Sequence, residues 1–427
     1  MSYLNISDQE DLFNEFISKG VTNLIRSKSK VFDQVRKDWS KIDVEGLYAK
    51  QKLMLAGSES TGAASTPAYP QPQQSTPGNT IVYIKRAQMF SMGFDGFALE
   101  AAARKGAEMP PLDFEKEGLF IRMADDISRQ LIGDGSGRVA KAGAGTGTAT
   151  MTVSHPHFAK ATKFLRATRW FDLYTDADPG VQEGAAAGVG DQVDKVDTNT
   201  QITLKASDST WSSGSWIFNR NVWFAGMNEA GGQGEMMGLL GIISNADPPL
   251  PNDAGLQGLP VLTNAAWKAQ VFDNPLGTGG TDREIEEDLF IQVLDEVESY
   301  ATVDVILVSP GVYRSYFALL TSYKTLPNQK KLWGGWSGLV FIYNGREIPV
   351  VADNFIPDGH AFFISNKNLI LHVMTPNMIQ WERGLGGAGI LKQVSGRHEY
   401  VAEGHMYMNL ATGLRPGLGL LKDIKEP

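Results

Sequence analysis

The chain is 427 residues long, 42% hydrophobic and free of cysteine, with a formal net charge of −9. At roughly 150 residues per domain the length points to two or three domains, the apolar content is ample for a large core, and 46 glycines argue for many turns rather than a helical bundle. The lack of cysteine excludes disulfides, thiolate metal sites and a cysteine nucleophile, and the acidic balance argues against tight nucleic-acid binding by the chain as a whole.

The first residues show no basic region followed by an apolar run, so no secretory signal is read. No window reaches the roughly 18 consecutive apolar residues of a membrane span. The sequence therefore reads as a soluble protein made in a cytoplasm, with no membrane partner.

In chain order, Ser7-Asp8-Gln9-Glu10 matches a capping box, and Leu12, Phe13, Phe16, Ile17, Leu24 and Ile25 follow at helical spacing. Residues 39–56 and 79–90 are expected as strands. Between them lies GSESTGAASTPAYPQPQQSTPG (57–78), a proline- and serine-rich stretch far longer than an ordinary hairpin turn. Pro110-Pro111 opens a long helix, 111–132, whose apolar face is Phe114, Leu119, Phe120, Met123, Ile127 and Leu131, with Gly133 placed to end it.

GDGSG (133–137) reads as a turn, 156–170 as a short helix, 171–226 as β-rich and 226–280 as mostly loop. Thr281-Asp282-Arg283-Glu284 predicts a second capped helix carrying Ile285, Leu289, Val293, Leu294 and Val297. VDVILVS (303–309) predicts a buried strand, and Ser309-Pro310 the start of another helix with Val312, Tyr313, Tyr316, Phe317 and Leu320. This helix–strand–helix unit is a layered α/β signature. Strands follow at 338–374, with Asn344-Gly345 as a hairpin turn, and again near the C-terminus in HEYVAEGHMYMNL.

Motifs for chemistry are sparse. Gly384–Gly389 matches G-x-G-x-x-G, but no convincing helix follows it, so a flexible glycine loop is expected. No P-loop and no G-x-S-x-G elbow occur. His155 and His157 stand two apart without further metal ligands in sequence. The seven acidic residues from Asp172 to Asp197 read as a solvated run rather than a cation site. Lys160, Lys163, Arg166 and Arg169 recur every third residue. On a helix they would form one basic stripe, facing either solvent or an acidic or phosphate-bearing partner. No nucleophile, base and oxyanion site assemble, so no catalytic, cofactor or metal residue is assigned, and the chain is expected to bind or build rather than catalyse.

Four stretches, taken in order, carry a family resemblance: AQMFSMGFDGFALEAA (87–102), RQLIGDGSG (129–137), VDVILVSPGVYRSYFALL (303–320) and GREIPVVADNFIPDGHAFFIS (345–365). Together they resemble the major capsid proteins of tailed double-stranded DNA phages, with the Hong Kong-97-like fold; residues 171–280 match least. The resemblance implies an α+β chain made of an N-terminal arm (1–38), an extended loop (39–92), a peripheral domain (93–234) with spine helix 111–132 and a β-rich region, an axial domain (235–385), and a C-terminal return to the peripheral domain (386–427).

It further implies a protein of the virion, assembled in the host cytoplasm from pentamers and hexamers of itself around packaged double-stranded DNA held without sequence-specific contact. Scaffolding, portal and decoration proteins are the implied partners. About 35 residues precede the loop, which favours a separate scaffolding protein. Thr61, Tyr69, Pro70 and Gln73 would stand at the loop tip as contacts to the next subunit, and Lys50, Lys52 and Lys85 are the lysines available for a crosslink of the kind some relatives make. Two other readings stay open: an encapsulin-like nanocompartment shell of the same fold, and a nucleotide-dependent enzyme using Gly384–Gly389.

Overall fold

The computed structural model describes residues 24–25, 27–38, 48–56, 76–83, 87–95, 111–143, 149–175, 182–184, 191–205, 210–220, 235–248, 255–274, 282–322, 330–331, 337–374, 379–382 and 391–427. Most of the expected N-terminal helix, with its capping box at Ser7–Glu10, lies outside them; its last expected apolar position, Ile25, is fully buried. The chain divides into two compact units, one of residues 1–131 with 369–413, the other of 132–368 with 414–427.

In the first unit a one-turn helix α1 (Val31–Gln34) leads into β1 (Arg36–Asp38), and β2 (Tyr48–Ala56) and β3 (Thr76–Tyr83) form a two-stranded sheet of their own. The stretch expected as one strand, 79–90, is two: β3 ends at Tyr83 and β4 runs Ala87–Asp95. The helix α2 spans Pro111–Ile132, as its proline start and glycine stop predict. Met123, Ile127 and Leu131 of the predicted face are buried, while Leu119 and Phe120 are only half-buried. Lys28 pairs with Asp125 of this helix at 2.5 Å.

The second unit begins with a turn. Asp134 Oδ1 accepts from the Ser136 N–H at 3.0 Å and from its hydroxyl, closing GDGSG as expected. Strands β5 (Arg138–Ala142), β6 (Thr150–Ser154), β7 (Trp170–Tyr174), β8 (Gln182–Glu183), β9 (Asp191–Thr198), β10 (Gln201–Leu204) and β11 (Trp216–Asn219) follow. Their order is β11-β5-β6-β10-β9-β7-β8, and β7 also pairs with β11. All strands but β8 therefore close into an antiparallel barrel. It begins at Arg138, well before the expected β-rich region. Side chains alternate in and out, as in the exposed–buried pattern of Thr150–Ser154. The inward set, including Met151, Val153, Phe171, Leu173, Ile202 and Ile217, fills the interior, as small barrels require.

The helix expected over 156–170 is not formed; only a 3-10 turn, Ala161–Phe164, is present. Phe158, Ala161, Phe164 and Leu165 are instead drawn into the barrel core. Thr162 fastens the segment by donating its N–H to the Asn199 carbonyl at 3.0 Å and its hydroxyl to that of Thr198 at 3.1 Å. Apolar spacing that would suit a helix is spent on plugging the barrel.

The rest of the second unit is an α/β layer. After the short α3 (Leu239–Ile242) come β12 (Gln270–Phe272), α4 (Glu287–Glu298), β13 (Val305–Val308), α5 (Pro310–Ser322), β14 (Lys330–Lys331), β15 (Ser337–Tyr343), β16 (Arg346–Ala352) and β17 (Ala361–Ile364). β13 lies between β16, parallel, and β17, antiparallel. Asn344 and Gly345 both take positive φ at the β15–β16 turn, as that hairpin type demands. Phe290, Val293, Leu294 and Val297 of α4 and Val312 and Tyr316 of α5 pack with Phe341 and Phe363 of the sheet; Phe317, expected on the apolar face, is exposed.

The Ser309 cap is present, its hydroxyl accepting from the Val312 N–H at 3.3 Å. Thr281 of the expected capping box lies outside the described residues, and the helix does not begin directly after that box. Helix α4 starts at Glu287, because Arg283 pairs instead with the C-terminal tail, donating to the Asp423 carbonyl and accepting from the Lys425 N–H, each at 2.8 Å.

Back in the first unit, β18 (Leu369–Val373), β19 (Gln380–Trp381) and β20 (Leu391–Gln393) pair with the long β21 (Glu399–Thr412), which also pairs with β4; β1 adds to β18 in parallel. At Gly404 a Cβ would meet the Phe90 ring at 2.5 Å, so glycine is what lets Phe90 lie edge-on to Trp381 across β21. The last strand, β22 (Gly419–Leu421), belongs to the second unit's sheet, between β12 and β17. Residues 414–427 thus group with the second unit, and β21 with the first.

The tail is held firmly. The buried Arg415 guanidinium donates to the carbonyls of Ile242, Trp267 and Ala246 at 2.8, 3.1 and 2.7 Å, and burial lowers its pKa to about 10. Glu426 accepts from the Ser309 hydroxyl and from the Gly359 N–H.

Candidate functional site

The β2–β3 hairpin is the first candidate. Its register runs without interruption from Tyr48 opposite Tyr83 to Met54 opposite Pro77, and shifts only at Ala56 opposite Thr76. Pairing therefore takes in Thr76, Pro77 and Gly78, which sequence alone assigned to the loop. The base is anchored where buried Ala49 and Val82 pack on Ala411 and half-buried Tyr407 of β21. Beyond that base the hairpin is a two-stranded sheet, an arrangement only marginally stable by itself in water. Thr61, Tyr69, Pro70 and Gln73, expected at its tip, lie outside the described residues, and so does Gly384–Gly389.

The basic residues form the second candidate. Without a helix they do not make one stripe. Lys160 and Arg166 are exposed. Lys163 is half-buried, its ammonium 4.1 Å from the Phe158 ring centre. Burial lowers its pKa, opposed by the nearby carboxylates of Asp358, Asp353 and Glu426. Its acidic neighbour is thus within its own chain. Arg169 turns away, donating to the Phe164 carbonyl at 2.6 Å and to Asn219 Oδ1 at 2.5 Å.

Around Lys163 the barrel meets the loop between β16 and β17. Asp358 donates its N–H to the His157 carbonyl at 3.0 Å, and its carboxylate accepts from the Ala159 N–H at 2.7 Å. Phe355 stacks on Phe164 with ring centres 6.3 Å apart. The His157 and His360 rings meet edge to face at 5.8 Å. Burial pushes His360 down to about 4, and its Nδ1 lies 2.7 Å from the Asp358 carbonyl, so the neutral ring donates there. In sequence Pro357-Asp358-Gly359 carries only turn chemistry; its one signal for docking is an aspartate between rigid proline and permissive glycine.

The acidic run is used locally. Asp172 and Asp191 are buried, Glu183 accepts from the hydroxyls of Ser212 and Ser215, and Asp197 pairs with Lys195 at 3.0 Å. Among the described residues no group of three or more His, Asp or Glu is placed to hold a metal ion, and no helix is long and apolar enough to cross a membrane.

No protein-family model matches the sequence, and no curated protein does. Solved structures do. A chain of the cyanophage A-1(L) capsid asymmetric unit is 11% identical, with TM-score 0.51 over 92% of this chain and 90% of the other. The satellite phage P4 procapsid, solved with its size determination protein, gives 10% identity and TM-score 0.41 over 95% and 99%. An encapsulin from Synechococcus elongatus gives 14% identity and TM-score 0.27 over 36% and 53%. The likeness to the cyanophage chain establishes the fold, an α+β capsid fold of the Hong Kong-97-like kind that the sequence motifs implied.

Proposed function

We propose that a chain with this fold serves as the major capsid protein of a tailed double-stranded DNA phage, self-assembling through pentamers and hexamers into the icosahedral head shell. The observation that carries the reading is the match to the cyanophage capsid chain across nearly the whole of both chains.

The parts fit that role. Residues 39–92 act as the extended loop over a neighbouring subunit, with Thr61, Tyr69, Pro70 and Gln73 in contact at the tip. Residues 1–38 serve as the N-terminal arm and α2 as the spine of the peripheral domain (93–234). The axial domain (235–385) brings its tips together at capsomer centres, and residues 386–427 return to the peripheral domain along β21 before β22 joins the sheet of β12 and β17. Exposed apolar side chains in 235–385, Leu262, Tyr300, Phe317 and Ile342, suit contacts between copies. Of the basic set, Lys160 and Arg166 face a partner, while Lys163 and Arg169 serve the barrel.

Shell contacts are individually modest and gain strength from multiplicity. The chain works without cofactor and without catalysis, in the virion, after assembly in the host cytoplasm with scaffolding, portal and decoration proteins, and encloses the DNA without sequence-specific contact.

The test is electron microscopy of the purified chain, alone and co-expressed with a scaffolding protein. Icosahedral shells are expected; a monomer under every condition would overturn the reading.

A further inference from the structure

Strand β7 alternates in and out of the barrel. Phe171 and Leu173 fill the interior, which turns Trp170 outward, where it is 40% exposed. The exposed Arg220 directly follows β11, the strand paired with β7, and its guanidinium lies 4.9 Å from the Trp170 ring centre. Among the described residues Arg220 pairs with no carboxylate, and Asp172 of β7 is buried. The turn before β7 is pinned from β9: the Thr168 N–H donates to the Val193 carbonyl at 2.8 Å, and the Gln192 amide donates to the Thr168 carbonyl at 3.1 Å. Pinning and stacking hold the pair in place before anything binds, which lowers the ordering cost of an encounter. Tryptophan and arginine are the residue types that most often carry the binding energy of protein interfaces.

The same chain carries a surface of the opposite kind. On α4, Glu287, Asp288, Asp295 and Glu296 are exposed. Ile291, 38% exposed, stands three or four residues from the first three and so shares their side of the helix. None of the four carboxylates pairs with a cation among the described residues: Asp288 accepts from the neutral Gln292 amide and Asp295 from the neutral Tyr343 hydroxyl. An apolar centre with an acidic rim complements an aromatic ring topped by a guanidinium. We infer that the Trp170–Arg220 patch of one copy docks on the α4 face of a second copy, Trp170 against Ile291 and Arg220 against the carboxylates around it. A nucleic acid would satisfy Arg220 but offers no aliphatic contact of this kind, and the net charge of −9 opposes it. The contact joins two different surfaces, so it is head-to-tail, the kind that generates rings. The inference rests on the assembly reading above and names two surfaces by which copies meet.

Charge reversal in the full-length chain tests the pairing. Arg220→Glu is expected to lower particle yield about tenfold or more, because a hot-spot loss recurs in every copy, with the melting temperature of the unassembled chain unchanged. Combined in turn with Glu287→Arg, Asp288→Arg, Asp295→Arg and Glu296→Arg, it is expected to regain most of that yield in at least one double variant. Normal yield from Arg220→Glu, or no recovery in any double variant, overturns the inference and leaves the assembly reading standing. Arg220→Glu particles of normal yield that carry less DNA than unmodified ones would assign the patch to nucleic acid and likewise overturn it. Failure of the unmodified chain to form particles overturns both readings. The chain has no cysteine, so a second measurement is independent of charge reversal. Arg166→Cys, on the turn before β7, and Gln292→Cys, beside Ile291, are co-assembled and treated with a short bis-maleimide. A band at twice the 46.5 kDa chain mass is expected, and none from Gln292→Cys with Thr150→Cys, an exposed position on β6. Particles that form but give no Arg166–Gln292 dimer overturn the inference.

Discussion

The barrel and the β2–β3 hairpin are both antiparallel β-structure, and they treat their edges in opposite ways. In the barrel the ring closes through β7 and β11, so its strands satisfy one another and the interior is filled by residues such as Phe171 and Ile217. Among the described residues the hairpin remains two strands, anchored by Ala49 and Val82 at the base. Closure makes a module stable within one chain. An unfinished ribbon leaves its stabilisation to be completed elsewhere, as the proposed role in assembly requires.

That contrast is most easily broken in the barrel. Phe171→Ala removes a fully buried ring from the closed core and is expected to cost about 3–5 kcal/mol, read as a fall in the urea midpoint. A loss below about 1 kcal/mol would mean that the ring is not the packed module described.

Acid is the next lever, at the junction between the barrel and the β16–β17 loop. His360 is held at about 4 against an ordinary value of 6.5. Its folded-state value is depressed, so the unfolded chain takes up the proton first. Stability from this group is complete above about pH 6.5 and is lost as pH falls toward 4, by about 3 kcal/mol. Urea titrations from pH 7 to 4 should show a shallower acid limb in His360→Asn than in the unmodified chain. Parallel limbs would exclude the histidine as the acid-sensitive group. Asp358→Ala, which removes the acceptor of the Ala159 N–H, is expected to cost about 1 kcal/mol, seen as faster amide exchange at Ala159.

Local signals explain what the sequence disclosed. Helix α2 was legible because its start, apolar period and stop all lie within its own residues, and the β15–β16 hairpin because Asn344-Gly345 fixes its turn. The segment 156–170 misled because Phe158, Phe164 and Leu165 have helical spacing but are claimed by the barrel. The start of α4 came later than expected, at Glu287, where Arg283 is paired with the distant tail around Ile424. Barrel closure and the docking of Asp358 on His157 are pairings far apart in sequence, which no local pattern announces. Of the candidate contacts, the basic residues were visible as charge, while their division into exposed Lys160 and Arg166 and anchored Lys163 and Arg169 depends on the fold. β4 was legible only in its first residues, as the end of the strand expected over 79–90.

Deleting Thr61–Ser75 probes the hairpin's role with the least disturbance to the subunit, since both ends lie beyond the paired strands. The deleted chain should melt within about 0.5 kcal/mol of the unmodified one, as changes away from packed features do. Its particles, counted by electron microscopy, should be absent or fall apart under conditions that leave unmodified shells intact. Shells of normal yield and stability from the deleted chain would contradict the assignment of this hairpin to assembly.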